Sequence, residues 1–207
     1  MCGIAGIFHY GDPDRPIDRD LLLRMTRSIA HRGPDAEDFY VGRGIGLGHR
    51  RLSIVDLSAT GAQPMPNDDE TCWITYNGEF YNHQDFRPRL VSVGARFRGS
   101  SDTETMLRLL ELRGPDALAE TAGIFAFAYW DSRRRTLTLA RDHLGVKQVY
   151  FHDDGKRLIF ASEIKALLQD PSVPREVDSE AVNQYLHFHT PLFDRTFFKG
   201  ITVLGPG

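Results

Sequence analysis

The chain predicts an α+β fold, in which short strands and short helices mix without the regular strand–helix alternation of a parallel sheet. Two stretches carry that reading. Residues 123–131, "GIFAFAYWD", alternate strictly, with Phe125, Phe127 and Tyr129 opposite Ala126, Ala128 and Trp130, which is the period of a strand lying against a core. Residues 101–114, "SDTETMLRLLELRG", instead follow a helical spacing marked by Met106, Leu107 and Leu110, and Gly114–Pro115 stop it. With 207 residues, 41% hydrophobic and 26% charged, the chain has enough apolar material for a real core.

The other elements follow in order. "GIAGIFHY" (3–10) reads as a first strand. "DRDLLLRMTRSIAHRG" (18–33) spaces Leu22, Met25 and Ile29 as a helix, with Asp18 as N-cap and Gly33 as stop. Two strands are expected near 37–42 and 45–50, then a loop at 56–70 rich in Gly, Pro, Asn and Asp. "TCWITYN" (71–77) reads as a buried strand with Cys72 in the core. A helix starting at Asn82 should be short or kinked by Pro88. "TLTLARD" (136–142) pairs back on 123–131 through a turn at Ser132–Arg135, and "VYFHD" pairs with "RLIFAS" across Asp154–Gly155. Two helices, 163–168 and 178–187, close the chain.

Composition excludes several functions. Net charge is −3 and the basic run "DSRRRT" reads as a solvated turn, so nucleic acid is not expected as a partner. No apolar stretch is long enough to span a membrane, and Asp12, Asp14 and Arg15 follow too soon for a signal peptide. Cys2 and Cys72 form neither a disulfide framework nor a zinc spacing, which points to a reducing, cytoplasmic setting. "HFH" (187–189) offers two histidines and no complete metal site.

Cys2 sits in a glycine-flanked apolar run, where a thiol can simply be small core filler. It can also be a nucleophile. Removing Met1 would leave Cys2 with a free α-amine, of pKa roughly 7.7–8.0, able to act as its base. Four polar clusters lie elsewhere: "HRGPD" (31–35), "HRRLSIVD" (49–56), "YNGEFYN" (76–82) and "SSDTE" (100–104). Singly, each has a structural explanation. Asn77–Gly78 makes a hairpin turn, Ser101 or Asp102 an N-cap, and Arg51 a surface cation. Together with Cys2 they fit a free amino acid. An arginine offers a bidentate fork for an α-carboxylate, Glu79 and Asp102 suit an α-ammonium, and the Asn77 amide with the Gly78 N–H suits an oxyanion.

These blocks, with "GIFAFAYWD", "ARDHLG" and "ASEIKAL", appear in the order of a known family. The chain resembles the N-terminal glutaminase domain of asparagine synthetase-type class II glutamine amidotransferases over essentially residues 2–207. The resemblance implies an N-terminal nucleophile hydrolase fold, a four-layer αββα sandwich of two mainly antiparallel sheets. It implies Cys2 as the nucleophile that forms a glutamyl thioester and releases ammonia, with Asn77 and Gly78 as the oxyanion hole. Arg51 matches the family's carboxylate-binding arginine in H-x-R-L-S, Arg50 filling the variable slot, with Glu79 and Asp102 at the substrate amine. Arg32 of "HRGPD" supports the site. L-Glutamine is the expected substrate, and this domain needs no cofactor or metal. ATP and Mg2+ belong to a synthetase domain expected after residue 207, in cis or as a separate protein. The resemblance is compatible with a homodimer. Thr121, Ile124, Gln148 and Pro88 depart from the family pattern without removing a catalytic group. The rival expectation is a degenerate, non-catalytic binding domain of the same fold.

Overall fold

The apolar alternation resolves into two sheets in the computed structural model, which describes residues 1–54 and 56–207; Val55, inside "HRRLSIVD", lies outside them. The six-stranded sheet runs in the order β10 (Thr202–Val203), β8 (Tyr150–Asp153), β9 (Arg157–Ala161), β1 (Gly3–His9), β3 (Ile45–Arg51) and β2 (Ala36–Gly42). The four-stranded sheet runs β4 (Met65–Pro66), β5 (Cys72–Phe80), β6 (Gly123–Asp131) and β7 (Thr136–Arg141). The pairings are antiparallel throughout.

Three apolar clusters set the layers. On the outer face of the larger sheet, α1 (Arg19–Ser28) and α4 (Ile164–Leu167) press Leu22, Met25 and Leu167 onto Ile7 and Ile159. On the outer face of the smaller sheet, α2 (His83–Ser92) and α3 (Asp102–Arg113) press Phe86, Leu90 and Leu107 onto Ile74, Phe125 and Phe127. Between the sheets lie Ile4, Leu47, Ala126, Ala128, Trp130 and Phe160. The alternation in β6 therefore has two apolar faces, with aromatics toward the helices and mostly alanine toward the other sheet. Small side chains let the two sheets close, while each buried phenylalanine contributes about 1.5–3 kcal/mol. The order is αββα.

Most of the expected elements stand where the pattern puts them. Asp18 caps α1 by accepting from the Leu21 N–H (2.9 Å), and Ser101 caps α3 by accepting from the Glu104 N–H (3.1 Å). Two expectations need correcting. The helix expected over 18–33 ends at Ser28, because Ile29 is drawn fully into the core and the chain tightens into a 3-10 turn, Ala30–Arg32. The strand expected to end at residue 77 continues to Phe80, so Asn77–Gly78 is extended backbone opposite Ala126 and Phe125, not a turn. Pro88 lies exposed inside the ten-residue α2. The final helix, α5 (Ser179–Phe188), leaves Leu186 and Phe188 exposed.

Candidate active site

The site forms where the ends of β1 and β3 in one sheet face β5 in the other. Cys2 directly precedes β1, and β1 pairs with β3 through Gly3 and Arg50. The half-buried Cys2 thiol donates to the Leu52 carbonyl (3.6 Å) and accepts from the Leu52 N–H (3.3 Å). Burial pushes this thiol up; the Leu52 N–H and the nearby Arg51 charge pull the other way and only partly offset it. From behind, the Arg32 Nε donates to the Cys2 carbonyl (3.0 Å), and its Nη1 is held by Glu163 (3.0 Å). Gly3 makes this approach feasible: a Cβ there would lie 2.8 Å from Ile29 and 3.4 Å from the Arg32 side chain.

Consecutive residues of a strand face opposite ways, which separates the two arginines of "HRRLS". Arg50 turns away, to Glu37 (2.9 Å) and the Gly33 carbonyl (3.0 Å). Arg51 turns to the cavity, its guanidinium donating to the Ser58 carbonyl (3.1 Å) and to that of Asp56. Gly61 lies flat beneath it, since a Cβ there would meet Nη2 at 2.4 Å.

On β5 the informative groups are on the backbone. Beyond the two-residue β4, this strand's outer edge has no neighbouring strand. The Tyr76 N–H on that edge is taken by Gln63 Oε1 (2.6 Å), and the Phe80 N–H by Asp102 Oδ2 (2.9 Å). Gly78 has the same parity, so its N–H points to the same edge, and it has no partner among the described residues. A side chain is not tolerated there: a Cβ on Gly78 would lie 2.3 Å from the Ile124 carbonyl. Next to it, the Asn77 side chain is buried and its Nδ2 has no hydrogen-bond partner. Orphaned buried donors cost stability, and their natural remedy is an acceptor from a ligand.

Asp102 lies in the first turn of α3, 5% exposed, and accepts only from backbone, the N–H groups of Phe80 (2.9 Å) and Thr103 (2.8 Å). Burial pushes its carboxyl up, more than those two bonds pull it down. The loop before it is fixed by buried Glu104, which accepts from the N–H groups of Arg98 (2.8 Å) and Gly99 (3.0 Å). Glu79 lies exposed on the cavity's rim.

One cavity is lined by Cys2, Arg51, Asn77, Gly78, Glu79 and Asp102. Arg32 is not on its wall; it lines an adjoining cavity with Glu163 and braces Cys2 through the backbone. Sequence reasoning missed Leu52, Gln63 and Glu163. Leu52 lies inside a motif already singled out, whereas Gln63 has no local signal because its partners, Tyr76 and Thr103, are remote in sequence. Cys72 is core as expected, its sulfur accepting from the Tyr129 hydroxyl (3.0 Å). Among the described residues no three His, Cys, Asp or Glu side chains stand together to hold a metal, and His187 and His189 are exposed at the end of α5. Among the described residues no helix is long and apolar enough to cross a membrane.

The arrangement offers a thiol, two unpartnered N–H donors, a cation and two carboxylates on one cavity. Comparison with known proteins gives the family. A family model described as a glutamine amidotransferase domain matches residues 1–207. Asparagine synthetase [glutamine-hydrolyzing] 1 of Bacillus subtilis is 37% identical over all of this chain and 33% of its own length. Asparagine synthetase B of Escherichia coli is 41% identical over 81% of this chain and 30% of its own. The chain thus spans about a third of the length of these relatives. Glutamine phosphoribosylpyrophosphate amidotransferase from B. subtilis, solved with ADP and GMP, superposes with a TM-score of 0.64 at 19% identity, over 80% of this chain and 42% of that one. That likeness is one of fold, and it is the sandwich of the N-terminal nucleophile amidotransferases. The chain belongs to the glutamine amidotransferase domain family.

Proposed function

We propose that this domain hydrolyses the side-chain amide of L-glutamine through a thioester on Cys2 and supplies the ammonia to an ATP-dependent synthetase. Arg51 takes the α-carboxylate, and Asp102 and Glu79 take the α-ammonium. The amide carbonyl then enters the gap on β5 where the Gly78 N–H and the Asn77 amide wait. The Cys2 sulfur attacks the amide carbon, and its proton passes to the Cys2 α-amine. The carbonyl oxygen becomes an oxyanion held by the two donors. Collapse of this adduct expels ammonia, which takes that proton, and leaves the thioester. Water adds next, and its addition releases glutamate and restores the thiol.

The observation that carries this reading is the pair of unpartnered donors, Gly78 N–H and Asn77 Nδ2, on the cavity that also holds the Cys2 thiol. In the structure Met1 is attached, so the Cys2 nitrogen is an amide. The mechanism therefore requires Met1 to be removed. The synthetase would be a further domain in cis or a separate protein, with aspartate the default acceptor, and ATP and Mg2+ would act there. A homodimer and a cytoplasmic setting, which keeps the thiol reduced, belong to the same proposal. The test is glutamate release from glutamine without ATP, read together with the intact mass of the active chain. Hydrolysis by material that has lost Met1, abolished by Cys2→Ala and unaffected by Cys72→Ala, is expected. Full activity with Met1 retained would sink the mechanism.

A further inference from the structure

The nucleophile and the oxyanion hole lie in different sheets, so the reaction depends on how one sheet is offset against the other. The layer between them is mostly apolar, with Ile4, Leu47, Ala126, Ala128 and Phe160 in it. Such contacts are non-directional and fix an offset poorly. One pair in this layer is different. His49 on β3 and Thr75 on β5 are both fully buried, with His49 Nδ1 3.0 Å from Thr75 Oγ1. The Thr75 hydroxyl donates to the Gly48 carbonyl (3.4 Å), so its oxygen is the acceptor and His49 Nδ1 carries the proton.

Their place in the strands is informative. His49 is opposite Ile4, two residues after Cys2, and two residues before Arg51. Thr75 is two residues before Asn77 on the same face of β5. The pair thus sits one step behind the reacting groups in each sheet. Burial, helped by the charges of Arg51 and Arg50, lowers the His49 ring to about 3, so it stays neutral under working conditions. Its Nε2 has no partner. A ring kept here for packing alone would be better apolar, since an orphaned buried nitrogen costs stability. What histidine adds is one directional bond across the sheets.

We propose that the His49–Thr75 bond is a positioning device that sets the Cys2 sulfur against the Asn77–Gly78 oxyanion hole. It rests on the glutaminase reading above. The test compares Thr75→Val, Thr75→Ser and the double variant H49F/T75V with the wild-type chain. Glutamine kcat and KM, melting temperature and the rate of Cys2 alkylation by iodoacetamide are measured for each. Alkylation needs the thiol but no oxyanion hole. Thr75→Val should lower kcat by about tenfold or more, since a misplacement near 1 Å can cost about 10²-fold. KM and the alkylation rate should stay within about twofold of wild type, and Thr75→Ser should restore kcat. H49F/T75V replaces both partners by apolar groups, so it should melt no lower than wild type and still be slow. Wild-type kcat in the double variant, or no rescue by serine, overturns the proposal while the glutaminase reading stands. A wild-type chain without Met1 that releases no glutamate overturns both.

Discussion

Replacing Asn77 by alanine separates stability from catalysis, because the structure sets the two effects in opposite directions. The Asn77 Nδ2 is buried without an acceptor, a condition that costs about 1–3 kcal/mol in the folded chain. Truncation removes that cost and also removes the packing of the amide group, so the net change in stability should lie within about 1 kcal/mol of zero. For a domain of this size that is a shift of about 2–4 °C in melting temperature. In the proposed mechanism the same nitrogen gains an oxyanion, and losing one such donor costs about 10²–10³ in kcat, or about 2.7–4 kcal/mol. The Gly78 N–H remains and supports the residual rate. Steady-state glutamate release and a thermal melt on the same preparation read both quantities. A raised KM with unchanged kcat would refute the oxyanion assignment. A fall of more than about 10 °C in melting temperature would make Asn77 a structural residue.

Arg51→Lys should raise KM severalfold and leave kcat little changed, because an ammonium cannot hold the Ser58 and Asp56 carbonyls and also present a fork to a carboxylate. Burial raises the Asp102 carboxyl, and a ligand ammonium favours its ionised form; KM for glutamine should therefore rise as pH falls, beginning at a higher pH than an ordinary aspartate would give. A KM that stays flat as pH falls through the carboxylate range would count against Asp102 as the ammonium partner. Gly78→Ala should destabilise by about 1–3 kcal/mol through its clash with the Ile124 carbonyl, read by denaturant titration. With Met1 attached, the raised Cys2 thiol should alkylate ever faster past pH 9; after Met1 is removed, a step should appear near the roughly 7.7–8.0 of an α-amine.

The parts of this fold that were legible in the sequence are those governed by local periodicity. The alternation of β6 and the helical spacing of α3 placed both elements within a residue or two of where they are. Local signals misled where a distant partner decides the conformation. Asn77–Gly78 carries the dipeptide signal of a hairpin, yet it stays extended because β6 pairs with it residue by residue through Phe80. The choice between Arg50 and Arg51 followed from the family motif, and its physical cause is the strand's alternation, which turns Arg50 to Glu37 and Gly33 and Arg51 to the cavity. Ser101 and Asp102 were alternatives for a cap. In the structure Ser101 is the cap, which frees Asp102 to hold the edge of β5 and face the cavity. Gln63 carried no signal, because its partners Tyr76 and Thr103 are distant in sequence, and the motif that holds His49 gave no hint of Thr75 across the sheets.

The open edge of β5 has a consequence for how copies of this domain meet. An unpaired strand edge is a template on which another chain can add a strand and begin to aggregate. Strand addition needs a run of free N–H and C=O groups. Here Gln63 and Asp102 occupy the N–H groups on either side, so the Gly78 N–H stands alone between two that are taken. One carbonyl fits that opening and a second β-strand does not. The side chains that line the cavity therefore also protect the sheet, and the domain keeps a gap in its edge with too few free donors to template a neighbour's strand.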